Sequence, residues 1–419
     1  MATAKTYHPS PKPLLAATQT MSTAAPTQQK SSRLAWMDIA KGLGILGVVY
    51  YHLFATYIDK DYPKMPWVKS GHFLSDLVGP AGINSATDAL RVFGRMLWAS
   101  APDIGSDAVG VFILLGGWAL AAATFKKAQH SPIPWINWYR QRFERLYPVY
   151  WCAHLVLLVT PFTWLEPIDS RFLLSLTGLR FLDIDRTFFY ANSAWWYFSM
   201  LIQFYAIFPL LFTAYRRLGQ WAFLVVTIAT GFLLRYLLTV RWQVNGNWIL
   251  GGNCLSRLPE FALGMTLGIA HLNHADRIEK WILGWRALLL GLAMYYFVWL
   301  LNSSLTAYVF ADFYTSLACM LLLLGISGLA ARIDFLGGWL LKTGQLSFGI
   351  YLTHQPIAIW IGIKTRTLPP WGFLLVMPFI LTGLSVFGAG VERAVNATLE
   401  KWVFKRATLN APQNPKRMS

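Results

Sequence analysis

From about residue 35 onward, long apolar runs alternate with short polar stretches. A window of about 19 residues finds about ten runs of membrane-spanning length. They lie near 36–57, 107–125, 145–164, 195–215, 220–240, 253–272, 282–301, 306–330, 344–364 and 371–391. The runs are continuous rather than alternating, so they predict helices and not the strands of a barrel. The sixth is the weakest, because NCLSRLPEFALGMTLGIAH carries Arg257 and Glu260. The pattern predicts an all-α integral membrane protein, with about ten transmembrane helices in one bundle. Residues 1–32 contain no apolar core and read as a disordered tail. No cleavable signal peptide is expected, so the first run serves as an uncleaved anchor. Residues 33–406 form one transmembrane domain, and 407–419 a basic C-terminal tail.

The first run, MDIAKGLGILGVVYYHL, is interrupted by Asp38, Lys41 and His52. Helix residues advance by about 100° each, so the steps from Lys41 to His52 make three turns plus roughly 20°. Both side chains therefore share one face, about 16 Å apart along the axis. Lys41 is expected near a membrane surface and His52 near the midplane, with Asp38 on the same stripe. An ionisable residue at that depth is costly and marks a candidate functional site. A buried, hydrogen-bonded histidine is the alternative.

Composition sharpens the class. Hydrophobic residues make up 55% of the chain and charged residues 13%, against about 25% charged in soluble domains. The net charge of +17 does not indicate nucleic acid, since the basic residues sit mostly in short connections, where they set topology. Lys126, Lys127, Arg140, Arg142, Arg145, Arg216, Arg217, Arg277, Lys280, Arg332 and Lys342 fall on one side of the predicted bundle. Most acids fall on the other, which predicts both termini in the cytoplasm. Two long connections, about 58–106 and 165–194, lie opposite. The first contains INSATDALRVFGRMLWA, an expected amphipathic surface helix. Cys152, Cys254 and Cys319 read as small core residues, and no metal site is expected.

Further stretches carry polar groups that the membrane would not tolerate without reason. In WYRQRFERLYPVYW, Arg142 and Arg145 are three apart and neighbours on a helix face. Two guanidinium forks at a helix mouth suit a phosphate ligand, although topology alone also accounts for them. Gly116 and Gly117 read as a close packing contact. Ser199 and Gln203 share a face and read as polar glue between helices. Arg257 and Glu260 either neutralise each other or face a substrate. Tyr351 and His354 are three apart in LSFGIYLTHQPI, and His154 is a third intramembrane histidine.

This ordered set resembles the acyltransferase-3 family of integral-membrane O-acyltransferases, and within it the fucose-4-O-acetylase-like branch. The family's first helix carries a basic residue, ten intervening residues and a histidine, matched here by Lys41 and His52. Lys41 stands where arginine is commoner. The family's R-x-x-R matches Arg142 and Arg145. GVFILLGGWAL is similar to the second-helix segment, with Gly116-Gly117 in place of Ser-Gly. WWYFSMLIQFYAIFPLL resembles the Trp-rich fourth segment but lacks its glutamate. RLPEFALG, LSFGIYLTHQP and Glu392-Arg393 also match family segments.

The resemblance implies transfer of an acyl group, usually acetyl, from cytoplasmic acyl-CoA to a carbohydrate hydroxyl on or across the bilayer, in a bacterial plasma membrane. His52 is the expected general base or acyl acceptor. Asp38 and Lys41 are expected to assist it, and Arg142, Arg145 and Lys41 to hold acyl-CoA phosphates. Ser199, Gln203, Arg257, Glu260, Tyr351 and His354 are substrate-binding or structural candidates. The rival readings are a transporter of a glycan or small organic acid, and a non-catalytic scaffold.

Overall fold

The computed structural model describes residues 34–58, 82–159, 168–301 and 305–409. The N-terminal tail, residues 59–81 of the first long connection and residues 410–419 lie outside the described residues. Every described element is helical.

The first helix, α1 (Ala35–Ile58), is buried along most of its length. It packs against α2 (Ala86–Ala128), α8 (Leu305–Ala330), α9 (Asp334–Gln345) and α10 (Ser347–Thr365). Helix α2 opens with a capping box: Asp88 N–H donates to Ser85 Oγ at 3.1 Å, and Ser85 Oγ–H donates to Asp88 Oδ2 at 2.8 Å. It then runs unbroken through Pro102 to Ala128. INSATDALRVFGRMLWA is therefore not a separate surface helix but the first part of α2. No stop signal follows it, and one proline inside a bundle removes only one backbone donor.

Helix α3 (Trp135–Leu158) starts just after Pro134, well ahead of the predicted 145, and turns Trp138 into the core. After α4 (Ser170–Thr177), the chain makes 3-10 turns at Arg180–Asp183 and Ser193–Trp195. The predicted fourth and fifth runs are the two arms of α5 (Trp196–Tyr236), which meet at a kink at Gly219. Short turns between 237 and 257 lead to α6 (Leu258–Ile282), then α7 (Trp285–Leu301). The chain ends in α11 (Pro370–Leu409).

Helix α9 is absent from the predicted set, because DFLGGWLLKTGQ is too short to register in a 19-residue window. It bends by 82° into α10, and the segment Cys254–Ile282 bends by 71° into α7. Length and hydropathy single out 5 helices able to cross a membrane, or up to 7 when each bent pair counts as one span. The helix-start arginines of α3 dilute its hydropathy below that test.

Two close approaches hold this arrangement. A Cβ on Gly344 would fall on the Asp38 carbonyl oxygen, so α9 lies backbone to backbone on α1. A Cβ on Gly117 would fall on the Phe261 carbonyl oxygen, where α2 crosses α6. Around Gly116, by contrast, nothing lies within 4 Å of such an atom.

A buried charge network ties α5, α6 and α8 together. Arg257 pairs with Glu260 at 3.0 Å and with Asp312 at 2.9 Å, and Arg235 pairs with the same Asp312 oxygen at 2.9 Å. Arg235 also donates to the carbonyls of Val309 at 2.7 Å and Tyr308 at 2.9 Å. Arg235, Arg257 and Glu260 are all buried. Arg257 and Glu260 thus neutralise each other, with a second carboxylate shared between two arginines.

Two outcomes are expected for purified protein in detergent. Gly344→Ala should lower stability by about 1–3 kcal/mol through overpacking, while Gly116→Ala leaves the thermal unfolding curve in place. Asp312→Asn should cost about 3–5 kcal/mol, because it strips a counter-charge from two buried guanidinium groups. An unchanged unfolding midpoint for Asp312→Asn would remove the network from the list of what holds the fold.

Candidate functional site

The site is built on α10. Pro356, inside that helix, has no N–H, so the carbonyl four residues earlier loses its helical partner. That carbonyl belongs to Leu352, and it accepts instead from Trp195 Nε1 at 2.9 Å and Asn192 Nδ2 at 3.1 Å. The turn leading into α5 is thereby drawn onto the middle of α10. Tyr351 adds a clamp: its hydroxyl donates to Ala194 O at 2.8 Å and accepts from Phe198 N–H at 3.0 Å.

The segment docked in this way is organised by Arg180, which is fully buried. One guanidinium nitrogen donates to Tyr190 O at 2.9 Å, Asn192 O at 3.2 Å and Phe188 O at 3.3 Å, and the other to Ser175 Oγ. His154 completes the arrangement. Its Nδ1 donates to Tyr150 O at 2.9 Å, and its Nε2 accepts from Ser175 Oγ at 2.8 Å. The ring stacks on Trp195 at 4.0 Å. With both nitrogens satisfied, His154 is a structural histidine.

Gln355 carries the docked turn to the first helix. Ala194 N–H donates to its Oε1 at 2.7 Å. A backbone N–H can only donate, so this bond sets which end of the amide is oxygen. The Nε2 end then donates to Ser193 Oγ and lies 3.4 Å from His52 Nδ1. His52 is half-buried, with its ring 5.2 Å from that of His354, centroid to centroid, and 5.1 Å from Tyr51. His354 is fully buried. Its Nδ1 donates to Tyr351 O at 2.8 Å and Ile350 O at 3.1 Å. Its Nε2 has no hydrogen-bond partner among the described residues.

The structure thus brings His52, His354 and Tyr351 to one place, joined by Gln355, Ser193 and Ala194, which the sequence reading did not single out. Asp38 and Lys41 form an ion pair at 3.2 Å, with Asp38 buried and Lys41 partly exposed. They occupy the other end of α1, about 16–21 Å along the axis from His52. Gln203 binds the 248–257 turns to α5, donating to Gly251 O at 3.2 Å and accepting from Cys254 N–H at 3.0 Å. Ser199 is buried beside it, but its hydroxyl makes no hydrogen bond among the described residues, so of the expected pair only Gln203 acts as polar glue. Arg257 and Glu260 belong to the separate charge network.

The arginines of α3 differ sharply. Arg140 is paired with Glu144 at 2.7 Å. Arg142 lies 3.9 Å over the Trp138 ring and donates to Trp138 O at 3.1 Å. Arg145 is exposed, with no hydrogen bond or ion pair among the described residues. Tyr205 lies in the field of both. Leu146 and Tyr147, the next residues, share a core cluster with Phe348 at the start of α10. The two guanidinium groups therefore sit toward the end of the bundle that holds Asp38 and Lys41.

A family model described as an acyltransferase domain matches residues 34–389. No curated protein and no solved structure matches the chain. The match covers nearly the whole described structure, including both histidine helices and the arginines of α3: the chain is a membrane-embedded member of the acyltransferase-3 family.

Proposed function

We propose that the protein is an O-acyltransferase of the fucose-4-O-acetylase-like branch. It moves an acyl group, acetyl by default, from cytoplasmic acyl-CoA to a hydroxyl of a cell-envelope or exported carbohydrate. In this reading the chain crosses a bacterial plasma membrane about ten times, with both termini in the cytoplasm. The observation that carries it is the placing of His52: half-buried inside an acyltransferase domain, against a second histidine, with two guanidinium groups of α3 at the Lys41 end of the bundle.

Acyl-CoA is an anionic substrate with a long, thin arm. Arg142 and Arg145 suit its phosphates, because no described carboxylate neutralises either of them, whereas Arg140 is already spent on Glu144. Lys41, held by Asp38, adds a cation at the same end. The arm would run along α1 toward His52, a distance of about 16 Å from Lys41. His52 then acts on the acceptor hydroxyl as general base, or takes the acyl group itself and passes it on. The new ester C–O bond forms, the thioester C–S bond breaks, and the hydroxyl proton ends on the CoA sulfur. The carbohydrate enters from the opposite face. The transporter reading draws on Glu260 and His354, but Glu260 is engaged by Arg257 and His354 belongs to the histidine cluster.

With labelled acetyl-CoA and membranes holding equal amounts of protein, His52→Ala should lower transfer by at least about 100-fold. Turnover at the wild-type rate would exclude His52 from the reaction. Arg142→Ala and Arg145→Ala should each raise the apparent KM for acyl-CoA about tenfold, the worth of one charged hydrogen bond, with kcat little changed. A change in protein abundance alone, at constant KM, would return these arginines to a purely topological role.

A further inference from the structure

Three of the described histidines lie around the docked turn and its helices, and their hydrogen bonding separates them. His154 has a partner on each ring nitrogen. His354 is held as firmly on one side, where its Nδ1–H meets two carbonyls. Those carbonyls fix its neutral tautomer, so the proton is on Nδ1 and Nε2 presents a lone pair. That lone pair is buried and has no partner among the described residues. A buried acceptor left bare costs its desolvation without return, and an apolar side chain of similar size would fill the space without that penalty. The neighbouring ring is His52, at a centroid separation of 5.2 Å and a tilt of 44°.

The tautomer of His52 follows from Gln355. The Ala194 N–H fixes the Gln355 oxygen, so the group facing His52 Nδ1 is an N–H donor. His52 Nδ1 is therefore the acceptor, and in the neutral ring the proton sits on Nε2. Of the two adjacent rings, one therefore carries its proton on Nε2 and the other presents a bare Nε2, with no hydrogen bond yet joining them.

We propose that His354 is the second proton station of the transfer reaction, acting through His52. The proposal rests on the acyltransferase reading and adds a residue to it. The acceptor hydroxyl gives its proton to His52 Nδ1, which releases the 3.4 Å contact from Gln355. His52 passes its Nε2 proton to His354 Nε2. The positive charge then rests on His354, whose Nδ1–H is already held by the Ile350 and Tyr351 carbonyls. The hydroxyl oxygen bonds to the acyl carbon and the C–S bond breaks. The thiolate recovers a proton by the same route in reverse, and both rings end neutral with their starting tautomers. If His52 Nδ1 attacks the acyl carbon instead, the C–S bond breaks to release thiolate and the acyl-imidazolium sheds its Nε2 proton to the same acceptor. When the acceptor hydroxyl then takes the acyl group and the C–N bond breaks, its proton goes to the thiolate and His354 returns the other to His52 Nε2. His354 does not touch the substrate in either case and is a positioning residue.

The test is His354→Asn in the full-length protein, purified in detergent. The Asn amide can still donate to the two carbonyls, but it has no counterpart of Nε2. The expected result is a fall in kcat of at least about 100-fold, with the KM for acetyl-CoA and the thermal unfolding midpoint unchanged. A stable variant with wild-type kcat overturns the proposal. Wild-type protein supplies a second measurement should the variant not fold: kcat across mixtures of H2O and D2O. Two protons in flight give a bowed dependence on deuterium content, and a straight or flat line overturns the relay. His52→Ala run in parallel separates the two claims. If His52→Ala is inactive and His354→Asn is fully active, the relay fails and the acyltransferase reading stands. If both are fully active, the reading fails as well.

Discussion

Inside a bilayer, a backbone carbonyl that loses its helical partner must find another, and the carbonyl of Leu352 is in that position because Pro356 has no N–H to offer. Trp195 and Asn192 supply the missing donors. Everything at the candidate site descends from this exchange. It brings the turn before α5 to mid-height on α10, within reach of Gln355. Gln355 is then oriented by the Ala194 amide and in turn selects the tautomer of His52. A proline that would merely kink a soluble helix serves here as an attachment point, since water is not present to satisfy the carbonyl in its place.

The same accounting distinguishes polar groups that hold the fold from those left available. Arg180, Arg235, Arg257 and His154 are each held by several carbonyls, carboxylates or hydroxyls, although one guanidinium nitrogen of Arg180 and one of Arg257 make no hydrogen bond. Their cost in the membrane is balanced internally, and they fix the relation between helices. Arg145, the Nε2 atom of His354 and the Ser199 hydroxyl make no hydrogen bond among the described residues. The guanidinium group is exposed, while the ring nitrogen and the hydroxyl are in the interior. A bilayer penalises polarity left unpaired, and the proposed reaction draws on the first two of these groups.

Much of the architecture was legible in the sequence, because hydropathy is a local property. Among the described residues each predicted run falls on helical structure, and the Lys41–His52 stripe needed only the helical period. The Arg257–Glu260 pair was equally accessible at a spacing of three. Contacts between distant positions were not. Asp312 joins Arg257 across more than fifty residues, and Ala194 meets Gln355 across 161; neither has a periodic signature. Helix α9 escaped because its twelve residues are shorter than a membrane-length window. The segment at 83–99 reads from sequence as a separate element, since amphipathicity does not say whether a helix stops. Pro356 was the one sequence signal for the docked turn, visible as a broken hydrogen-bond ladder in a span rather than as a motif.

The carbonyl cage around Arg180 also has a bearing on the order in which the chain assembles. Its bonds reach only 7 to 12 residues downstream, whereas the bonds that seat the same segment on α10 span 153 to 162. Local closures form early and at small entropic cost, and long-range ones wait for the rest of the chain. The segment between α4 and α5 can therefore take shape on its own soon after it emerges. It is then a preformed plug that the last third of the protein, carrying His354 and Gln355, arrives to meet. The histidine pair comes into being only at that final docking, so the chemistry of the site is the last feature of the fold to be completed.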